Sequence, residues 1–248
     1  NLNDAAALAS EALVNLDKGS VIYYQFIAEL GVILQQKADF AEATSQFQVI
    51  VDADYSTWPA VQKAQILNKA ASFYQVKGDF NLSSRLYMEA LAAEGVEEED
   101  ELYTSILFNY VTLLQAQGKL DEAEGLLIDL KSSIGNDNPE VYLGLLRNMG
   151  SLSHAKGDYE AASRRYNEAL ELAQTMGGER SVLYADILLR LATLDKDLGN
   201  YQDAEPKFLQ VSEIIAEVRG TGHTDYASVA NNMGILYQQM GNYDKAEE

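Results

Sequence analysis

Few residues of this chain have the types and spacing that chemistry demands. It has two histidines, His154 in a helix-like stretch and His223 in a loop, and no motif sets a Ser or Cys nucleophile beside either. With no cysteine at all, disulfides, thiolate zinc sites and a cysteine nucleophile are excluded within these residues. The segment Asp195-Lys196-Asp197-Leu198-Gly199-Asn200 resembles a calcium loop, but its glycine comes one place early and no Glu stands at the closing position. The run from Glu97 to Glu101 is consecutive and so builds no cage of alternating ligands. Its charge suits a solvated loop or the start of a helix, where carboxylates favour the positive end of the dipole. Gly220-Thr221-Gly222 lacks both a third glycine and a preceding strand, so it is no phosphate loop. No metal, cofactor or catalytic group is expected, and the chain reads as a non-enzyme.

Charge and hydropathy narrow the partners. Of 248 residues 47% are hydrophobic, which suits a folded chain, and only three are proline, which suits a helical one. No run approaches the roughly 20 apolar residues of a membrane span, and no signal peptide is visible, so no membrane partner is expected and a cytoplasmic setting is favoured. The net charge is −20, and both halves share it: 7 basic against 19 acidic side chains up to Glu124, 11 against 19 beyond. Nucleic acid is disfavoured, because binding it rests on Lys and Arg neutralising phosphates. A basic peptide or protein would be drawn in by the field, although solubility or a salty habitat accounts for such a surface equally well.

What must position any site is a repeat. The phrases Ala38-Asp39-Phe40, Gly78-Asp79-Phe80, Gly118-Lys119-Leu120, Gly157-Asp158-Tyr159, Gly199-Asn200-Tyr201 and Gly241-Asn242-Tyr243 return at steps of 40, 40, 39, 42 and 42. Seven residues before each stands Gly31, Ala71, Val111, Gly150, Ala192 or Gly234. Five after its first residue comes Ala43, Ser83, Ala123, Ala162, Ala204 or Ala246, and nine after comes Phe47, Tyr87, Leu127, Tyr166 or Phe208. Small residues on two antiparallel helices let their backbones approach, and a large side chain fills the space beside them. Glycine at the turn tolerates the positive φ that ends the first helix, and Asp or Asn after it caps the second. Ala38 replaces that glycine once, which predicts a strained or rebuilt turn. Tyr87, Tyr159, Tyr166, Tyr201 and Tyr243 fall at positions of this repeat and are expected to pack in the core rather than stack on a ligand.

These residues resemble the tetratricopeptide repeat. The long period and the stretch His223-Thr224-Asp225-Tyr226-Ala227-Ser228-Val229-Ala230-Asn231-Asn232-Met233-Gly234-Ile235-Leu236-Tyr237 are similar to the version found in kinesin light chains and in many bacterial proteins, some with a caspase-like CHAT protease domain downstream. The resemblance covers residues 21–248 and is best in the fourth and sixth units. It implies an all-α, right-handed superhelical α-solenoid of antiparallel helix hairpins. Residues 1–19 would be the second helix of a preceding, incomplete repeat. Units would follow at 20–55, 56–95, 96–135, 136–177, 178–220 and 221–248. The last stops inside its second helix and the first residue is Asn1, which reads as a fragment of a longer protein. The usual terminal proline is missing from most units. Longer connections replace it at Glu94–Glu101, Ser133–Pro139 and Arg219–His223.

In this family the first helix of each hairpin lines a concave groove. The resemblance thereby implies a peptide-binding row of Asn68, Ser72 and Gln75; Phe108, Thr112 and Gln115; Arg147, Ser151 and His154; Leu189, Thr193 and Lys196; and Asn231, Ile235 and Gln238. Each set is spaced by about one helical turn, so its members stack, and amides and hydroxyls suit the donors and acceptors of an extended backbone. Ordinary solvated surface is the competing reading. The lysine and asparagine with which some relatives clamp a chaperone's terminal carboxylate are not matched by Ala28 and Val32, or by Asn68 and Ser72, so a chaperone-tail receptor is not expected. Three functions follow: a protein-interaction scaffold holding a peptide or protein segment in its groove, the sensor region of a CHAT-type protease, or a structural element self-associating through the open ends of the array.

Overall fold

The computed structural model describes residues 2–96, 100–133 and 138–247. Among the described residues there are thirteen α-helices and no strand. They are α1 (Leu2–Asn15), α2 (Val21–Gln36), α3 (Phe40–Val51), α4 (Ala60–Lys77), α5 (Phe80–Leu91), α6 (Asp100–Ala116), α7 (Leu120–Ser133), α8 (Pro139–Ala155), α9 (Tyr159–Gly177), α10 (Val182–Asp197), α11 (Tyr201–Arg219), α12 (Thr224–Gln239) and α13 (Tyr243–Glu247). By its internal contacts the chain divides into two compact units, Asn1–Lys119 and Leu120–Glu248. The acidic run lies largely outside the described residues, at 97–99, as does most of the 133–139 connection.

In the first unit the antiparallel pairs α2–α3 and α4–α5 are hairpins, and α3 and α5 also pack on the next first helix, α4 and α6 respectively. In the second unit the same scheme joins α8–α9, α10–α11 and α12–α13, with α7, α9 and α11 packing on α8, α10 and α12. Within each unit an interior hairpin thus packs against the helices before and after it. Each unit is a segment of α-solenoid.

The turns show how the sequence specifies the hairpin. After α4, Gly78 takes φ 85°, its N–H donates to Gln75 O at 3.1 Å, and that of Asp79 donates to Tyr74 O at 2.9 Å. The Asp79 carboxylate then accepts the Leu82 N–H at 3.2 Å, which caps α5. Asp39 and Asp158 cap α3 and α9 in the same way, at 3.3 and 3.0 Å. Asn200 makes no such side-chain bond at the start of α11. Ala38 holds φ 60° and keeps the same two backbone bonds, 2.9 Å to Gln35 O and, from Asp39, 2.9 Å to Leu34 O. The turn is therefore not rebuilt, and the strain sits in a left-handed alanine.

The small and large positions are buried in the hairpins α2–α3, α4–α5, α8–α9 and α10–α11. Ala43, Ala71, Ser83, Ala162, Ala192 and Ala204 are buried, as are Phe47, Tyr87, Tyr166 and Phe208. A Cβ on Gly31 would lie 2.6 Å from Phe47 Cε2, and one on Gly150 would lie 2.4 Å from Tyr166 Cε1. The Ser83 hydroxyl donates to Ala71 O at 2.8 Å, joining the two small positions of that hairpin. Between hairpins of the first unit the Phe47 and Phe73 rings stack at 4.5 Å. The longer link from α3 to α4 is held by aromatic packing. Trp58 is buried 4.5 Å from the Tyr24 ring, and the Tyr55 hydroxyl donates to Glu89 at 2.8 Å.

Two of the five repeat tyrosines do not join the core. Tyr159 and Tyr243 are exposed, and Tyr201 is half-buried. Each is the first residue of a second helix, at the turn end of its hairpin. Tyr159 instead meets His154 edge-on, with ring centroids 5.6 Å apart.

Candidate functional site

In each unit the first helices are neighbours. In the first, α4 packs against both α2 and α6; in the second, α10 packs against both α8 and α12. The residues that the resemblance assigns to a groove lie on α4, α6, α8, α10 and α12.

In the first unit Ser72 and Thr112 are exposed, and the Thr112 hydroxyl donates back to Phe108 O at 2.9 Å. Asn68, Gln75, Phe108 and Gln115 are half-buried. Two of these amides serve the scaffold. Asn68 Oδ1 accepts from Asn109 Nδ2 of α6 at 3.1 Å, and Gln75 Oε1 accepts the Tyr87 hydroxyl of α5 at 3.0 Å. Burial of the Tyr87 hydroxyl pushes its pKa up, against the Ser72 hydroxyl nearby, which favours the anion. Lys69 of α4 pairs with Glu29 of α2, a second tie between first helices.

The row of the second unit is charged. Arg147 Nη1 of α8 lies 3.5 Å from Asp186 of α10, and Arg190 Nη2 reaches the same carboxylate at 3.4 Å. His154 Nε2 is 3.0 Å from Asp197, whose other oxygen is 3.1 Å from Lys196. Ser151 and Arg190 hydrogen-bond to the Tyr166 hydroxyl, favouring its anion, yet burial outweighs them and holds its pKa above the ordinary tyrosine value. The Thr193 hydroxyl donates to Leu189 O at 2.8 Å. Asn231 and Gln238 are exposed, and Ile235 is half-buried. The carboxylates of the calcium-like segment are paired with cations, Asp195 with Lys207 at 2.8 Å and Asp197 as above. Among the described residues no group of three or more His, Asp or Glu side chains is placed to hold a metal ion, and no helix is long and apolar enough to cross a membrane.

Two clefts open on these faces. The first, about 480 Å³, lies between α1, α2 and α4, with Leu8, Ala28, Phe26 and Ile66 as apolar wall and Gln25, Gln65, Glu29 and Lys69 as polar rim. The second, about 340 Å³, has Leu189, Val211, Ile215 and Val229 beneath a rim of Arg147, Asp186, Arg219, Asp225 and Ser228. Of the groove residues expected from sequence, Arg147 and Leu189 line the second of these two clefts and none lines the first. Those not foreseen include Gln25, Gln65, Asp186 and Ser228, each three residues before Ala28, Asn68, Leu189 and Asn231. The signal was present, because each row simply extends one turn toward the helix start.

Such walls offer donors, acceptors and apolar floor. Comparison with known proteins agrees with the architecture. The tetratricopeptide repeat family model matches residues 142–210 and again 183–248. No curated protein sequence matches the chain. Among solved structures, BtubC (BKLC) from P. vanneervenii superposes with a TM-score of 0.60 at 23% identity, over 86% of each chain. NprR in complex with its cognate peptide NprX gives 0.71 at 13% identity, over 99% of this chain and 68% of that one. A Rap protein complexed with Competence and Sporulation Factor gives 0.63 at 15%, over 97% and 76%. These likenesses speak to fold, while the sequence match carries the family over residues 142–248: that part of the chain is a tetratricopeptide repeat array, and the same Gly-Asp-aromatic turns and small–large packing recur before it.

Proposed function

We propose that the chain is a protein-interaction scaffold, with no catalysis of its own, that holds an extended peptide or protein segment against the first helices of its hairpins. The observation that carries this reading is that first helices line both clefts, α2 and α4 with α1 in one unit and α8, α10 and α12 with α11 in the other, while Ser72 and Thr112, and Asn231 and Gln238, stand exposed on first helices of the same units. Stacked hydroxyls and amides can satisfy a peptide backbone, and the clefts can take its side chains. The NprR and Rap structures, each solved with a peptide or factor bound, lend the same fold to this use. At a net charge of −20 the long-range field favours a partner that is basic overall and opposes nucleic acid.

The test is to select ligands from a displayed random-peptide library on the 248-residue chain and measure them by calorimetry against Asn231→Ala and Arg147→Ala. Met88→Ser, on an exposed outer position of α5, serves as control. Truncating a true anchor should weaken binding by about ten-fold or more, with the control unchanged. Failure to select any ligand, or selected peptides sensitive only to Met88→Ser, would sink the proposal.

A further inference from the structure

The second-unit cleft has a chemistry of its own. Six of the seven arginines lie between residues 147 and 219, the other being Arg85. Three of the six gather at this cleft: Arg147 and Arg219 on its rim, and Arg190 behind Asp186. The acidic members of the rim are already engaged. Asp186 is shared by Arg147 and Arg190, and Asp225 is held by Arg219. The donors are in surplus. Arg147 is 39% exposed and its one ion pair among the described residues is the long 3.5 Å contact to a carboxylate it must share, while a guanidinium carries five N–H donors and no acceptor. Directly below it the floor is apolar, with Leu189 half-buried and accessible above Val211, Ile215 and Val229. An Arg with unused donors at the lip of an apolar hollow complements a ligand that presents a carboxylate next to a bulky hydrocarbon.

We propose that this cleft reads an apolar–acidic pair within a bound peptide: a Leu, Ile, Met or Phe side chain seats on Leu189 while the adjacent Asp or Glu carboxylate takes the free edge of Arg147. The inference rests on the scaffold reading above and specifies one anchor within it. It is compatible with a partner that is basic overall, because the chain's net charge acts on encounter over about a Debye length, whereas Arg147 acts at contact.

The experiment uses peptides chosen from the displayed library, synthesised with acetylated N-termini and amidated C-termini so that side-chain carboxylates are the acidic groups. Selected sequences should share the apolar–acidic pair. Replacing its Glu by Gln should weaken binding to the unaltered chain by about ten-fold, as expected when a charge-assisted hydrogen bond is lost. The same replacement should cost nothing further on Arg147→Ala, which closes a double-mutant cycle. The peptide arm needs no protein variant to fold. Peptides that bind with no acidic residue, that tolerate Glu→Gln, or that require a free C-terminal carboxylate instead would overturn this inference and leave the scaffold reading standing. A library that yields no binder would overturn both.

Discussion

Replacing Gly150 by alanine tests the packing rule on which the fold depends, because a second glycine of the same unit supplies the reference. Gly125 lies exposed within α7, and a Cβ built there meets nothing within 4 Å. Gly125→Ala should therefore show helix propensity alone, a gain of about 1 kcal/mol. At Gly150 the same gain is opposed by contact, since the new Cβ would fall 2.4 and 2.6 Å from Cε1 and Cδ1 of Tyr166. That ring is 2% exposed and packed among Leu143, Leu146, Ala162 and Ala169, with its hydroxyl bonded to Ser151 and Arg190. Moving it costs about 1–3 kcal/mol, the usual range for overpacking a core. The hairpins with Ala71 and Ala192 at this register show that an alanine can be accommodated once the whole contact is built around it, so the penalty is repacking rather than unfolding. Gly150→Ala should thus be less stable than Gly125→Ala by about 1–3 kcal/mol, read from urea titrations followed by circular dichroism with m held common. Tyr166→Leu added to Gly150→Ala should recover part of the loss, a coupling of about 0.5–3 kcal/mol, because the sequence itself sets the bulkier Val111 with the slimmer Leu127. If Gly150→Ala stabilises the chain as much as Gly125→Ala does, small–large packing is not what fixes the hairpin.

Two further outcomes follow from local geometry. Ala38→Gly should raise stability by about 0.5–1 kcal/mol in the same titration, the relief of a left-handed alanine less the greater chain entropy of glycine, and no gain would mean that φ 60° carries no strain. Tyr55 is pushed up to about 12, first by burial and then by its hydrogen bond to Glu89. Its neutral form is thereby favoured in the folded chain, so the stability it contributes is complete below pH about 10 and lost as pH rises through about 12. In an ultraviolet titration Tyr55→Phe should delete one late-ionising tyrosine, and the deletion of an early one would contradict the assignment.

The hairpins were legible because their causes are local. A turn glycine, the Asp after it and small residues at fixed offsets each act within one repeat, and a period of forty or so residues exposes them all at once. Depth was less legible than register. Tyr159 and Tyr243 recur in step with the core yet sit at the rim, since a period gives the position along a hairpin and not the number of neighbours there. The partners of the groove residues were hidden for a different reason. Asn68 bonds to Asn109 and His154 pairs with Asp197, each roughly one repeat further on, and pairings between adjacent first helices leave no trace in a single unit's pattern. Asp186 and Ser228 of the second cleft stand one turn before Leu189 and Asn231, at a position where no single residue type repeats from unit to unit.

The contrast between repeated and unrepeated positions also bears on where recognition is encoded. The turn, the small positions and the large position hold nearly one residue type each from unit to unit, because every hairpin must solve the same packing problem. The inner row does not. At one register it reads Ala28, Asn68, Phe108, Arg147, Leu189 and Asn231, a run of methyl, amide, ring, guanidinium, isobutyl and amide. Solvent alone would be served by any interchangeable polar set, and it would not favour placing Leu189 and Phe108 half-open beside Arg147 and Asn68. On the proposed scaffold reading, the row within each unit, Asn68 and Phe108 in the first and Arg147, Leu189 and Asn231 in the second, would discriminate among side chains at successive steps of an extended segment, with a discrimination that scales with its variety. Exchanging Arg147 and Leu189 would preserve the composition of the chain and of the row. If recognition is written in the order of the side chains, the selected peptides should change, and if the face is merely solvated they should not.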